Sequence, residues 1–132
     1  MRTLLPLLSL LALSACTTAS LGPGIGGREL VAQDVNGVPV AGPKPLTLRL
    51  EGGRASGSAG CNSFSGSYEA SEGRLEFGPL ATTRMACPPE IMEQEQRFLA
   101  ILAATRSLSR YGNGSVSLIA PDGRAVRFRP AS

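Results

Sequence analysis

Apolar and polar positions alternate along most of the chain. Leu46, Leu48 and Leu50 are separated by Thr47, Arg49 and Glu51, a period of two that predicts a strand with one buried face. Glu29 to Val35 predicts an earlier strand, ending at the turn signal Asn36-Gly37. Gly52-Gly53 reverses the chain after Glu51, and Arg54 to Ser58 is its return arm, short of apolar residues. Ser67 to Ala70 and Arg74 to Phe77 form a hairpin around Ser71-Glu72-Gly73, with Leu75 and Phe77 inward. Near the C-terminus Leu108 to Tyr111, Val116 to Ala120 and Arg124 to Arg129 are separated by Gly112-Asn113-Gly114 and Pro121-Asp122-Gly123. Val116 and Leu118 share one face; Val126 and Phe128 share another, opposite Arg127 and Arg129. These are the marks of an antiparallel meander.

One segment changes period. After Pro88-Pro89, residues 90 to 105 place Ile91, Phe98, Leu102 and Thr105 at helical spacing, with Met92, Leu99 and Ala103 beside them. Proline and early acids suit a helix N-terminus. The expected fold is α+β and mostly antiparallel: a small twisted sheet or partly open barrel with one helix packed on it. Glu90, Glu93 and Glu95 are read as the helix's solvated face.

Composition sharpens this. There are 132 residues, 16 Gly, 10 Pro, no Trp and only 5% aromatics, so aliphatic side chains must fill the core and tight turns must be frequent. The formal charge is +3, mild and without an aromatic-interleaved basic patch, which argues against nucleic acid. Histidine is absent, which excludes Ser-His-Asp and Cys-His catalysis and histidine metal sites. A Ser-Lys dyad would need Lys44, the one lysine, which lies between two prolines in an expected loop. No catalytic constellation, metal site or cofactor site is expected.

The first residues have another character. Met1-Arg2-Thr3 carries a positive charge, Leu4 to Leu13 is leucine-rich, and Ser14-Ala15 are small, the layout of an export signal. The apolar run is too short to span a bilayer. Leu13-Ser14-Ala15-Cys16 resembles the bacterial lipobox, in which the cysteine receives a diacylglyceryl group and becomes the first residue after cleavage. The expected organisation is a signal peptide over 1–15, a lipidated flexible tether over 16–27, rich in Gly and small polar residues, and one domain over 28–132. Thr17 rather than aspartate after the cysteine points to the outer membrane, with the domain facing the periplasm. The expected membrane partner is thus reached through the lipid, palmitate-like chains on Cys16.

Cys61 and Cys87 remain as an even pair in an oxidising compartment, and a disulfide is the economical reading. A redox pair and a thiol metal site are the alternatives, but there is no C-x-x-C spacing and no histidine.

Around these cysteines lie two motifs: Gly57-Ser58-Ala59-Gly60-Cys61-Asn62-Ser63-Phe64-Ser65-Gly66-Ser67-Tyr68, and Leu75-Glu76-Phe77-Gly78-Pro79-Leu80-Ala81-Thr82-Thr83-Arg84-Met85-Ala86-Cys87-Pro88. In this order and spacing they resemble the two signatures of META/HslJ-like domains, and Glu95, Phe98 and Leu99 fit that family's helix. Where the family usually carries Trp before its first strand, Arg28-Glu29 stand here. The resemblance implies a small β fold with one helix, common in envelope lipoproteins linked to heat or antibiotic stress, with no established enzymatic activity. A likeness to lipid-binding pilot lipoproteins has been suggested for such folds. Read physically, Gly57, Gly60 and Gly66 allow close approach or positive φ, and Asn62 stabilises a turn. Phe64 and Tyr68 supply aromatic area, and Thr82, Thr83 and Arg84 are available to satisfy buried backbone groups. Gly60, Asn62, Phe64, Gly66, Tyr68, Thr83, Arg84 and Met85 are the candidate binding surface. The expected function is a non-catalytic envelope interaction or assembly accessory with a protein partner. The alternative is a carrier of a lipid-like small molecule in a partly open barrel.

Overall fold

The computed structural model describes residues 21, 22 and 24–131; the signal, the lipobox and Cys16 lie outside them. The strands are β1 (Glu29–Val35), β2 (Val38–Pro39), β3 (Thr47–Glu51), β4 (Arg54–Ser58), β5 (Ser63–Ser71), β6 (Arg74–Phe77), β7 (Ala81–Thr82), β8 (Ser107–Arg110), β9 (Val116–Ile119) and β10 (Ala125–Pro130), with the helix α1 (Pro89–Ala104) between β7 and β8. Every pairing is antiparallel.

The sheet is closed, where the sequence pattern left it partly open. The order β10-β9-β8-β6-β5-β4-β3-β1 returns on itself because β10 pairs with β1, making an 8-stranded barrel. The closing register runs from Leu30↔Pro130 to Val35↔Val126, with a bulge between Ala32 and Asp34. Closure satisfies both edges, and it places Leu30, Ala32 and Val35 inside together with Val126 and Phe128. The seam between β6 and β8 is much thinner: Arg74↔Ser107 is its one bridge.

The alternation predicts the inner faces correctly. Leu46, Leu48, Leu50, Leu75, Leu118, Val126 and Phe128 are fully buried. β5 is longer than the expected 67–70, because Phe64 and Gly66 continue the inward face towards the preceding corner. Gly66 is needed there: a Cβ would lie 2.7 Å from the Pro79 carbonyl oxygen. The short strand β7 pairs with this extension. On β9 the outward Ser117 is also buried, since the Tyr111 hydroxyl lies 3.2 Å from its Oγ and the Arg127 guanidinium covers the Tyr111 ring.

The turns order the barrel's ends. Those at 52–53, 72–73 and 112–114 lie at one end, together with residues 21, 22 and 24–28. The opposite end holds the turns at 36–37 and 121–123, the β4–β5 corner and α1. Phe98 of α1 sits between Phe64 and Phe128, with ring centroids 5.8 and 6.1 Å away in edge-to-face contacts. Such aromatic geometry adds to the area buried, and it fills the interior with the protein's own rings.

The fold also begins earlier than the tether reading expects. Ile25 is 2% exposed and belongs to the core. The Gly27 N–H donates to the Leu50 carbonyl at 2.8 Å, and the Arg49 guanidinium donates to the Gly27 carbonyl at 2.6 Å. Leu21 packs partly buried against the same core. Ile25 thus stoppers the end of the barrel that α1 does not cover.

Candidate functional site

The polar chemistry of the molecule converges on the β4–β5 corner. Ala59 donates its N–H to the Asn62 carbonyl at 2.8 Å, closing a tight turn. Gly60 takes φ +102 within it, a conformation that side-chain-bearing residues rarely adopt. The turn carries Cys61 and Asn62 inward, and both are buried. Cys61 is joined to Cys87 with a Cα–Cα distance of 6.1 Å, which ties the corner to the chain just before α1.

Asn62 and Glu95 form the heart of the corner. Glu95 is 5% exposed and lies on the helix face that also buries Gln94, Phe98, Ile101 and Leu102. Its Oε1 accepts the backbone N–H groups of Asn62, at 2.6 Å, and of Cys61, at 3.3 Å; its Oε2 accepts Asn62 Nδ2–H at 2.8 Å. Asn62 in turn holds the 83–85 strap by both of its polar atoms. Oδ1 accepts the Met85 N–H at 2.6 Å and the Thr83 hydroxyl at 2.9 Å, while Nδ2 donates to the Met85 carbonyl at 3.3 Å. Thr83 and Ser63 complete the link: the Ser63 N–H donates to Thr83 Oγ1 and the Thr83 N–H to the Ser63 carbonyl, both at 3.1 Å. Among the described residues no buried side-chain polar atom lacks a partner, as a dry polar network requires.

Here Glu95 departs from the expected solvated face: it occupies the buried one, while Glu90 and Glu93 are exposed. Gln94 beside it was likewise missed. Its amide exchanges two hydrogen bonds with the backbone of Ala41, at 2.8 and 3.0 Å, and so fastens the 40–45 loop to the helix.

The eight residues read as one binding surface are not one surface. Gly60, Asn62, Thr83 and Met85 meet at the corner. Phe64 is in the core below it, and Gly66 is buried under Pro79 and Leu80. Tyr68 lies six residues from Asn62 along β5, about 20 Å away, at the rim of the opposite end, where it lines a groove of about 690 Å³ with Gly52, Gly53 and Arg74. Of the eight, those at the corner that present side chains to solvent are on the 83–85 strap: Thr83 and Arg84 are exposed, and Met85 is 51% exposed. Of the threonine–arginine run expected to satisfy backbone groups, Thr83 does so; Thr82 and Arg84 are exposed.

The two motifs, the disulfide and the helix that closes over them coincide with a known family. The model of the META domain matches residues 24–132. The chain belongs to the META domain family. The matched span begins beside Ile25, where the core begins. This META domain is similar to a solved protein from Burkholderia xenovorans, an NMR structure with 27% identity and a TM-score of 0.65, covering 82% of this chain and 84% of that one. A second NMR structure is similar at 27% identity and a TM-score of 0.67, covering 81% of this chain and 92% of that one. No curated protein matches the chain.

Proposed function

We propose that this META domain protein is a non-catalytic envelope lipoprotein, exported, anchored through Cys16 and acting as an interaction or assembly module on the periplasmic side. The signal-like first fifteen residues and the lipobox-like Leu13 to Cys16 support the anchor. The interaction role rests on the strap. A buried carboxylate and a buried amide are spent on immobilising residues 83–85, whose own side chains remain in solvent. The strap's backbone, already fixed by Asn62 at Thr83 and Met85, has little freedom left to lose on association, which favours binding, and methionine and arginine are both enriched at protein interfaces. A stress-related role follows from the family resemblance alone. The carrier reading loses its cavity, because Phe98 and its aromatic neighbours occupy the barrel interior.

Two measurements test this. Cells fed an alkyne-bearing palmitate should label the wild-type chain in the membrane fraction, and Cys16→Ser should abolish both label and membrane partition. A photo-crosslinking residue placed at Met85 in intact envelopes should give a discrete protein adduct that Arg84→Glu weakens, while the same residue at the exposed Val38 should give none. An unlabelled wild-type chain removes the anchor; equal adducts at Met85 and Val38, or none, remove the strap.

A further inference from the structure

The barrel's two ends differ in charge, and the chain enters at only one of them. Arg28, Arg49, Arg54, Arg74, Arg110 and Arg129 are exposed around the end that carries the turns at 52–53, 72–73 and 112–114. Glu29, Glu51, Glu69 and Glu72 share that end, so six arginines stand against four glutamates, while Glu76 on the same groove is paired with Arg106. The helix-covered end is balanced, with Lys44, Arg84, Arg97 and Arg124 against Asp34, Glu90, Glu93 and Asp122. The positive excess of the domain therefore sits at the end where Leu21 and Ile25 enter.

We infer that this arginine-rich end is a membrane-docking face that rests on the anionic headgroups of the bilayer holding the lipid anchor; the inference builds on the anchor at Cys16 proposed above. Reach decides the orientation. From Cys16 to Leu21 there are five residue steps, at most about 18 Å fully extended. The nine residues of β5, tilted as barrel strands are, rise about 20–25 Å, and α1 adds a layer of about 10 Å. Inverting the barrel on this tether would lift the entry end farther from the bilayer than the tether can span. Ile25 strengthens the constraint, because it locks residues that would otherwise lengthen the tether into the core. The turns at this end are rich in glycine, Gly52, Gly53, Gly73, Gly112 and Gly114, and the one large exposed apolar ring beside them among the described residues, Tyr111, is engaged by Ser117 and Arg127. A basic side chain near an anionic surface is favourable, and the short tether keeps the effective concentration of headgroups high.

The test uses the full lipidated chain, with one fluorophore attached to a new cysteine and an energy acceptor on vesicle headgroups. Ser71→Cys marks the arginine-rich end and Val38→Cys the opposite one, both exposed. In vesicles of phosphatidylcholine with phosphatidylglycerol, the Ser71 probe should transfer strongly and the Val38 probe weakly. Replacing Arg54 and Arg74 by Gln should lower the docking equilibrium constant roughly fivefold for each arginine removed. Vesicles of phosphatidylcholine alone should weaken docking further than the two substitutions, because they remove the attraction of every arginine on the face. Equal transfer at both sites, or transfer at Ser71 indifferent to lipid charge and to the arginines, overturns the docking face while leaving the anchor intact. A chain whose mass shows Cys16 unmodified overturns the anchor, and the docking face with it.

Discussion

Replacing Glu95 by Gln tests whether the corner is held as the geometry requires. The substitution conserves shape but leaves one acceptor oxygen where the structure uses two. If the amide oxygen keeps the backbone N–H groups of Asn62 and Cys61, its nitrogen faces Asn62 Nδ2, donor against donor. If it turns over, both backbone groups lose their partner. The milder case removes one hydrogen bond to a charged acceptor, about 1.5–3 kcal/mol, and weakens two others to the neutral kind, about another 1 kcal/mol together. The expected loss is therefore about 3 kcal/mol, which for a domain of this size lowers Tm by about 10–20 °C. Urea unfolding of the disulfide-intact protein, followed by far-UV circular dichroism, reads the loss as a lower midpoint with an unchanged slope. Glu93→Gln, two residues away and exposed, should stay within about 0.5 kcal/mol of wild type. A Glu95→Gln midpoint equal to that of Glu93→Gln would refute the claim that this carboxylate holds the corner.

Removing the Cys61–Cys87 bridge with paired serines frees a loop of sequence separation 26 and should cost about 3.5 kcal/mol in the chain-entropy model, measured by urea unfolding against the oxidised protein. Phe98→Ala empties the space between Phe64 and Phe128 and should cost about 3–5 kcal/mol; a scanning-calorimetry change below about 1 kcal/mol would contradict a filled barrel. The backbone N–H and then the side chain of Arg124 hold the Asp122 carboxyl below the usual aspartate range. Its folded value lies under its unfolded one, so its contribution is present above the unfolded value and is lost as pH falls through the folded one. Carboxyl NMR titration should show the lowered midpoint, and Arg124→Ala should return it towards the ordinary value.

Much of the barrel was legible because its strands report their own inner faces. Leu46, Leu48 and Leu50, or Val126 and Phe128, alternate with polar or charged residues, and the structure buries just those sides. Closure was not legible, since nothing in β1 or β10 alone says that they are neighbours; that pairing spans the whole domain. Ile25 was hidden by its surroundings, an isolated apolar residue in a glycine-rich run that reads as a linker. Glu95 was readable in principle. It lies four residues after Ile91 and three before Phe98, on the apolar stripe itself, and a carboxylate in that position needs buried donors. The donors, two backbone N–H groups and an asparagine in a turn, belong to a distant segment and carry no periodic signal. Gln94 binds the backbone of Ala41, whose sequence offers no mark of it. The motif residues were visible as a group, but their spread from corner to core to opposite rim came from the pleat and length of β5, not from their closeness in sequence.

Pairing β1 with β10 makes the fold's first strand wait for its last. Until residues 125–130 are available, β1 holds β3 on one side and nothing on the other, and its inward Leu30, Ala32 and Val35 face an unfinished ring. Such an edge is an invitation to wrong partners, including another copy of itself. Closure therefore waits for β10: a polypeptide emerging N-terminus first keeps the barrel open until residues 125–130 have been made. A truncation of only the last strand should accordingly cost far more than the loss of so short a segment from a solvent-facing tail.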